Sequence, residues 1–287
     1  MEQFQSTLKE SVELSGYGVH SGLPSRVIVR PANVNHGIIF NFCDQQNRAH
    51  RIEAHARNAG PAELCTTITD GVINIETIEH LMAAIAAFGL DNLDIEVTAN
   101  EMPILDGSAH VFIEAFTRAD IVLQHAKRRY IRVKDAVEVS TNLGRAAFYP
   151  AKTTRFDITI DFSTPVIGVE NLAFDLTREQ FISDIARART FGFLKDVEYL
   201  WARGIALGSS LENSIVIGHN DQIINSNGLL FPNEFVRHKA LDAIGDTALL
   251  GLPFIGEFKT YRSGHKLNVL AVKALLNKPD AFEVIEY

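Results

Sequence analysis

The stretch Phe235-Val-Arg-His238-Lys239-Ala-Leu-Asp242-Ala-Ile-Gly245-Asp246 is dense in groups that can do chemistry. Wound as a helix, it sets His238 and Asp242 one turn apart on one face, close enough for an imidazole nitrogen and a carboxylate oxygen to reach one metal ion. The same spacing also serves a surface ion pair, so the motif alone leaves both readings open. Far upstream, Glu76-Thr77-Ile78-Glu79-His80-Leu81-Met82 leads a capping-type Thr77 into an apolar helical run and offers His80 as a third ligand. Glu79 projects about 100° around that helix from His80, poorly placed to share its coordination position but well placed to stand beside a bound water. Two histidines, one aspartate and a spare glutamate make the inventory of a catalytic zinc site with an open fourth position.

The elements that must position these groups follow from periodicity. Residues 7–58 are strand-like, with the β-branched and aromatic runs Val27-Ile-Val-Arg-Pro and Gly37-Ile-Ile-Phe-Asn-Phe. His20, His36, His50 and His55 fall here without ligand spacing and are expected to be surface or hydrogen-bonded histidines. Cys65, in a short strand-like piece, reads as a small buried thiol. A helix is predicted from Thr77 to Phe88, stopped by Gly89, and an alternating strand over Asn92–Val97. Asp106-Gly107 is explained by turn geometry, and Ala109–Phe116 looks helical. Lys127-Arg128-Arg129, the one tight basic cluster, is expected to be a solvated linker between halves. The second half restarts with strands at 131–133, 137–139, 146–149 and 156–162. A capping box, Thr177-Arg-Glu-Gln180, then opens a helix to about Ala188. An amphipathic helix near Val197–Gly204, a strand at 214–217, a helix over Phe235–Leu250 and a last helix over Asn268–Leu276 complete the prediction. Strands and helices segregated in each half predict an α+β fold of two similar domains, 1–126 and 127–287, each a sheet layer packed on helices.

Composition narrows the function. The chain has 287 residues, 46% of them hydrophobic, enough for one large core or two ordinary ones. Lys+Arg 27 against Asp+Glu 35 gives a net charge of −8, which argues against binding nucleic acid over a broad surface. Two cysteines, Cys43 and Cys65, make no disulfide framework and point to a reducing compartment. The N-terminal residues lack a basic region followed by an apolar core, and the longest apolar run, Leu81–Leu90, is too short to span a bilayer. A soluble, cytoplasmic protein is expected.

Read together, Thr77-Ile-Glu79-His80-Leu81, Pro103-Ile-Leu-Asp106-Gly-Ser108, Ala186-Arg-Ala-Arg-Thr190-Phe191-Gly-Phe193, the His238/Asp242/Asp246 helix and Ser263-Gly264-His265 resemble the UDP-3-O-acyl-N-acetylglucosamine deacetylase (LpxC) family over nearly the whole chain. The resemblance implies two domains with the active site between them, and Zn²⁺ held by His80, His238 and Asp242, a donor set that also accepts Fe²⁺. It implies removal of the acetyl group from a UDP-linked 3-O-acyl glucosamine of lipid A biosynthesis. Glu79 would be the general base, and Thr190 would help hold the oxyanion. His265, oriented by Asp246, would protonate the leaving amine, and Lys239 would add positive charge; in the alternative assignment Glu79 is both base and acid. For the nucleotide the resemblance points to Asp161, Phe162, Phe193 and Arg262, with Phe191 also against substrate. For the acyl chain it points to a passage in an insertion over about 193–218, lined by Leu194, Val197, Trp201, Ala206, Leu211 and Val216. The expected partner is the small-molecule lipid precursor. A monomer without a transmembrane segment, peripheral to the inner membrane through its acylated substrate, is the expected state.

Overall fold

The computed structural model describes residues 2–62 and 64–286. A five-stranded sheet runs in the order Val12–Tyr17, Pro24–Pro31, Leu93–Val97, Ile38–Cys43, Ala49–Glu53, all antiparallel except for the pairing of Ile38–Cys43 with Leu93–Val97. Its strands alternate as the sequence predicts. In Leu93–Val97 the residues Leu93, Ile95 and Val97 are buried while Asp94 and Glu96 face the other side. The core side of this sheet is covered by helix α1 (Glu79–Phe88), buried except at Ala86, and α2 (His110–Ala119) adds an apolar face of Phe112, Ile113 and Phe116. Helix α1 ends where expected, at Gly89, whose φ of 69° lies in the left-handed region that glycine reaches without penalty.

The second large sheet has seven strands, in the order Val137–Ser140, Arg145–Tyr149, Phe254–Tyr261, Arg129–Val133, Phe282–Glu286. Thr154–Asp161 lies parallel to Phe254–Tyr261 and pairs outward with Val169–Asp175. After the short α3 (Arg178–Gln180) an insertion follows: strands Phe191–Phe193 and Ile215–Ile217 pair in parallel, with α4 (Leu194–Ala202) between them in sequence. Helices α5 (Glu234–Thr247) and α6 (His265–Leu276) complete the chain's helical layer. Helix α5 is buried at every position but Arg237 and Lys239, so it is a central core helix and not an amphipathic surface one. Among the described residues no helix is long and apolar enough to cross a membrane.

Helices α1 and α5 pass each other closely. A Cβ at Gly245 would stand 2.1 Å from the Glu79 carbonyl oxygen, so only glycine permits this approach. The contact sets the start of α1, with Glu79 and His80, against the middle of α5, with His238 and Asp242.

Four local expectations are corrected. Thr77 does not cap α1: its φ is 60°, its hydroxyl donates to Glu101 Oε1 at 3.3 Å, and the helix starts two residues later. The left-handed residue turns the chain from the strand Asn74–Ile75 into the helix. Lys127-Arg128-Arg129 is not a solvated linker. Arg128 is buried, donating to Asp91 Oδ1 at 2.8 Å and Glu2 Oε2 at 3.1 Å, and it joins the strand pair Phe4–Leu8/Ile121–Lys127 to the second sheet. The segment after Thr177 has the expected capping bond to the Gln180 N–H, at 3.1 Å, but continues as a single wide turn, 181–185, and stops short of Ala188. The last helix begins at His265 and not at Asn268, because the extended Gly264 carbonyl accepts from Leu267 and Asn268.

Candidate active site

His80, in the first turn of α1, and His238 and Asp242, one turn apart on α5, converge. The His238 Nε2 lies 3.3 Å from Asp242 Oδ1, and the His80 Nε2 lies 3.8 Å from the same oxygen. The two rings meet edge to face with centroids 5.1 Å apart. The His238 Nδ1–H donates to the Ala188 carbonyl at 3.0 Å, which leaves the Nε2 lone pair facing inward. Lys239 Nζ donates to Asp242 Oδ2 at 2.7 Å, while Asp242 Oδ1 is buried with no hydrogen-bond partner.

Charge states suit a cation. Burial pushes the His80 imidazole down to about 3, with His238 adding to the effect, and burial likewise lowers His238. Burial would raise the Asp242 carboxyl, but the positive charges of Lys239 and His265 outweigh it and hold the group ionised. Two neutral imidazoles and an unsatisfied carboxylate oxygen therefore present lone pairs to one point. Among the described residues this is the one cluster of three such donors, their atoms within 4.8 Å of one another. The donor types and their number fit a divalent metal with a coordination position left open.

Two further groups stand beside it. Glu79, almost fully buried, accepts from the Thr66 backbone N–H at Oε2, 3.0 Å, and leaves Oε1 3.7 Å from the His265 Nε2. Burial pushes its carboxyl up to about 7. His265 turns its Nδ1 to Asp246, 3.1 Å from Oδ2 and 3.3 Å from Oδ1. Burial would lower His265, yet Asp246, Glu79 and Asp242 together push it up to about 9. A carboxylate near neutrality facing an imidazolium gives one proton acceptor and one proton donor on the same side of the metal site.

These groups open onto a cavity of about 420 Å³. Every residue expected to line the acyl passage, Leu194, Val197, Trp201, Ala206, Leu211 and Val216, faces it, as do Thr190, Phe191 and Lys239. Trp201 sits half-exposed at its rim, with Nε1 donating to the Ala206 carbonyl at 2.8 Å. Asp246 lies behind His265, fully buried. The residues expected for the nucleotide do not line the cavity. Phe162 contacts Phe191 and Phe193, with ring centroids 5.8 and 6.1 Å away, so this aromatic group reaches the cavity through Phe191. Asp161 accepts from the Tyr261 hydroxyl, and Arg262 Nη1 lies 3.8 Å from it.

Sequence reasoning missed several residues. His20, expected to be an ordinary surface or hydrogen-bonded histidine, lines the cavity, its Nδ1 buried without a partner and its pKa lowered by burial. Its loop hangs on the buried Glu101, which accepts the backbone N–H groups of His20 and Ser21, each at 2.8 Å. Thr66 and Asn268 contact the carboxylates behind the site, and no motif marked either. Cys65 is buried as expected but in a bend, its thiol pushed up to about 12 by burial and by Glu79.

The model of the UDP-3-O-acyl N-acetylglycosamine deacetylase family matches residues 5–277. The chain belongs to that family. Curated relatives named UDP-3-O-acyl-N-acetylglucosamine deacetylase in Brucella ovis, Brucella canis and Brucella melitensis are each 49% identical to it over 286 residues, covering 100% of both chains. The deacetylase family is one of metalloenzymes, and His80, His238 and Asp242 are three donors that could hold a metal ion in this chain.

Proposed function

We propose that this chain hydrolyses the N-acetyl group of UDP-3-O-(3-hydroxyacyl)-N-acetylglucosamine, giving acetate and the free amine, a step of lipid A biosynthesis. One observation carries the reading: His80, His238 and Asp242 meet beside Glu79 and His265 on the wall of a cavity also lined by Leu194, Val197, Trp201 and Val216. A hydrolytic centre next to an apolar slot suits a substrate that carries both an amide and an acyl chain.

The metal we assign is Zn²⁺, since two imidazoles and one carboxylate suit a catalytic zinc site, and Fe²⁺ is the competing occupant. When bound, the ion would polarise the acetamide carbonyl and make a water molecule more acidic. Glu79 takes the proton of the attacking water through Oε1, its Oε2 being engaged by Thr66. Thr190, at the cavity wall, donates to the carbonyl oxygen as it gains charge. His265, its Nδ1–H turned to Asp246, delivers the Nε2 proton to the leaving nitrogen. Lys239 holds Asp242 and adds positive charge beside it. The acyl chain lies against Leu194, Val197, Trp201, Ala206, Leu211 and Val216. The uridine diphosphate lies against Asp161, Phe162, Phe193 and Arg262, with the aromatic faces for uracil and the guanidinium for the diphosphate, and Phe191 also meets substrate.

Residues 1–126 and 127–287 form the two domains. The five-stranded sheet draws on the first alone and the seven-stranded sheet on the second alone, which supports the division. Both cysteines are free, in keeping with a cytoplasmic monomer that meets its acylated substrate at the inner membrane surface. The test is acetate release by purified protein from the UDP substrate and from N-acetylglucosamine derivatives without the nucleotide. Turnover of the UDP substrate alone is expected; equal turnover of both would contradict the substrate assignment.

A further inference from the structure

Thr66 is fully buried and touches neither solvent nor the cavity, yet it contacts both members of the proton-transfer pair. Its backbone N–H donates to Glu79 Oε2 at 3.0 Å. Its hydroxyl donates to Asp246 Oδ1, and the same oxygen lies 3.1 Å from His265 Nδ1, so a lone pair is available to the imidazole N–H. The partners lie far apart in sequence: Glu79 is a near neighbour on the chain, while Asp246 and His265 come from the other half. On its remaining oxygen Asp246 accepts from Asn268 Nδ2 at 2.9 Å, and Asn268 Oδ1 in turn accepts from the Ser263 hydroxyl at 2.5 Å. Both carboxylate oxygens of Asp246 are therefore held, one from each half of the chain.

We infer that Thr66 is a positioning residue for the acid and base: one side chain and its own peptide N–H fix Glu79 Oε1 and His265 Nε2 facing each other, 3.7 Å apart. The backbone bond engages Oε2 and leaves Oε1 to face the water. The hydroxyl keeps Asp246 from rotating, and Asp246 with the Thr66 oxygen keeps the His265 Nδ1–H turned away from the site. Without the hydroxyl, Asp246 Oδ1 keeps only the longer contact to the His265 Nδ1–H, at 3.3 Å, in a dry environment, and the carboxylate and imidazole can settle into other pairings. Substrate binds in the cavity, which Thr66 does not line, so the effect falls on turnover and not on substrate binding.

The inference rests on the deacetylase reading with His265 as acid, and the test separates the two. Thr66→Val keeps the branched shape and the peptide N–H but removes the hydroxyl. It is expected to lower kcat by about 10- to 100-fold, as loss of a residue supporting an active-site ligand does, with KM within about twofold and metal content unchanged. Thr66→Ser should restore most of the turnover. In a His265→Ala background the Thr66→Val change should cost less than about twofold, because a group acting through His265 has nothing left to position. A Thr66→Val enzyme with kcat within about twofold of the parent, or the same loss with and without His265, would overturn the proposal alone. A His265→Ala enzyme with parental kcat would overturn the acid assignment and this proposal with it. If the valine variant does not fold, Thr66→Ala, which sets no methyl against Asp246, takes its place in the same comparison.

Discussion

A single carboxylate shows how environment assigns a role. Glu79 adjoins the proposed metal ligand His80 in sequence, yet its Oε1 lies 3.7 Å from His265 Nε2 and its carboxyl is pushed up to about 7 by burial. Glu79→Gln keeps its shape and removes its basicity. It should retain the metal and lose kcat by about 100- to 10,000-fold, the range spanned by general base catalysis; single-turnover kinetics with metal analysis will measure both. Near-parental turnover would remove Glu79 as the base. The pH profile follows from the same pair. Glu79 must be ionised to accept a proton, so activity falls as pH drops through about 7. His265 must carry its proton, so activity falls as pH rises through about 9, and His265→Ala should abolish that upper limb in a kcat/KM profile. The proposed metal ligands and Glu79 stand out in the sequence by their helical spacing, whereas His265 stands out only through the match of Ser263-Gly264-His265 to the family. His20, Thr66 and Asn268 do not stand out, because their partners lie on other elements and polar residues in loops carry no period.

At the scale of elements, the site is the crossing of α1 and α5, and Gly245 makes the crossing possible. Gly245→Ala would push the Glu79 carbonyl away and move His80 off His238 and Asp242. A shift on the order of 1 Å there is expected to lower kcat by about 100-fold and to weaken metal binding, read by titration of the stripped protein; tight metal binding with parental kcat would show that the helices tolerate the methyl group. The insertion makes a second claim. Trp201, the chain's single tryptophan, stands at the cavity rim. Its fluorescence should change on titrating long-chain substrate and change less with short-chain analogues, while an invariant signal would place the acyl chain elsewhere. Helix α5 was found by its motif, but its near-complete burial was not, since Arg237, His238, Lys239, Asp242 and Asp246 make it look polar along the chain. Gly264 hid the true start of α6 by looking like a turn, whereas its carbonyl starts the helix.

For the molecule as a whole, strand alternation and capping signals gave the α+β class and the order of sheets and helices. The joint between the halves was misread. Three consecutive basic residues look solvated in sequence, but the Asp91 and Glu2 carboxylates that bury Arg128 lie far from it along the chain. Arg128→Ala leaves Asp91 without its main partner and should destabilise the fold by about 3 kcal/mol in urea unfolding, with turnover per folded molecule unchanged; a loss near zero would mean the pair is dispensable. The most direct measurement is acetate release from UDP-3-O-(3-hydroxyacyl)-N-acetylglucosamine before and after chelation and during stepwise return of Zn²⁺. No release is expected from the stripped protein, and the rate should climb linearly to a plateau at one ion per chain. Undiminished release from fully stripped protein, or none from folded protein carrying one ion, would contradict the metal-dependent deacetylase reading.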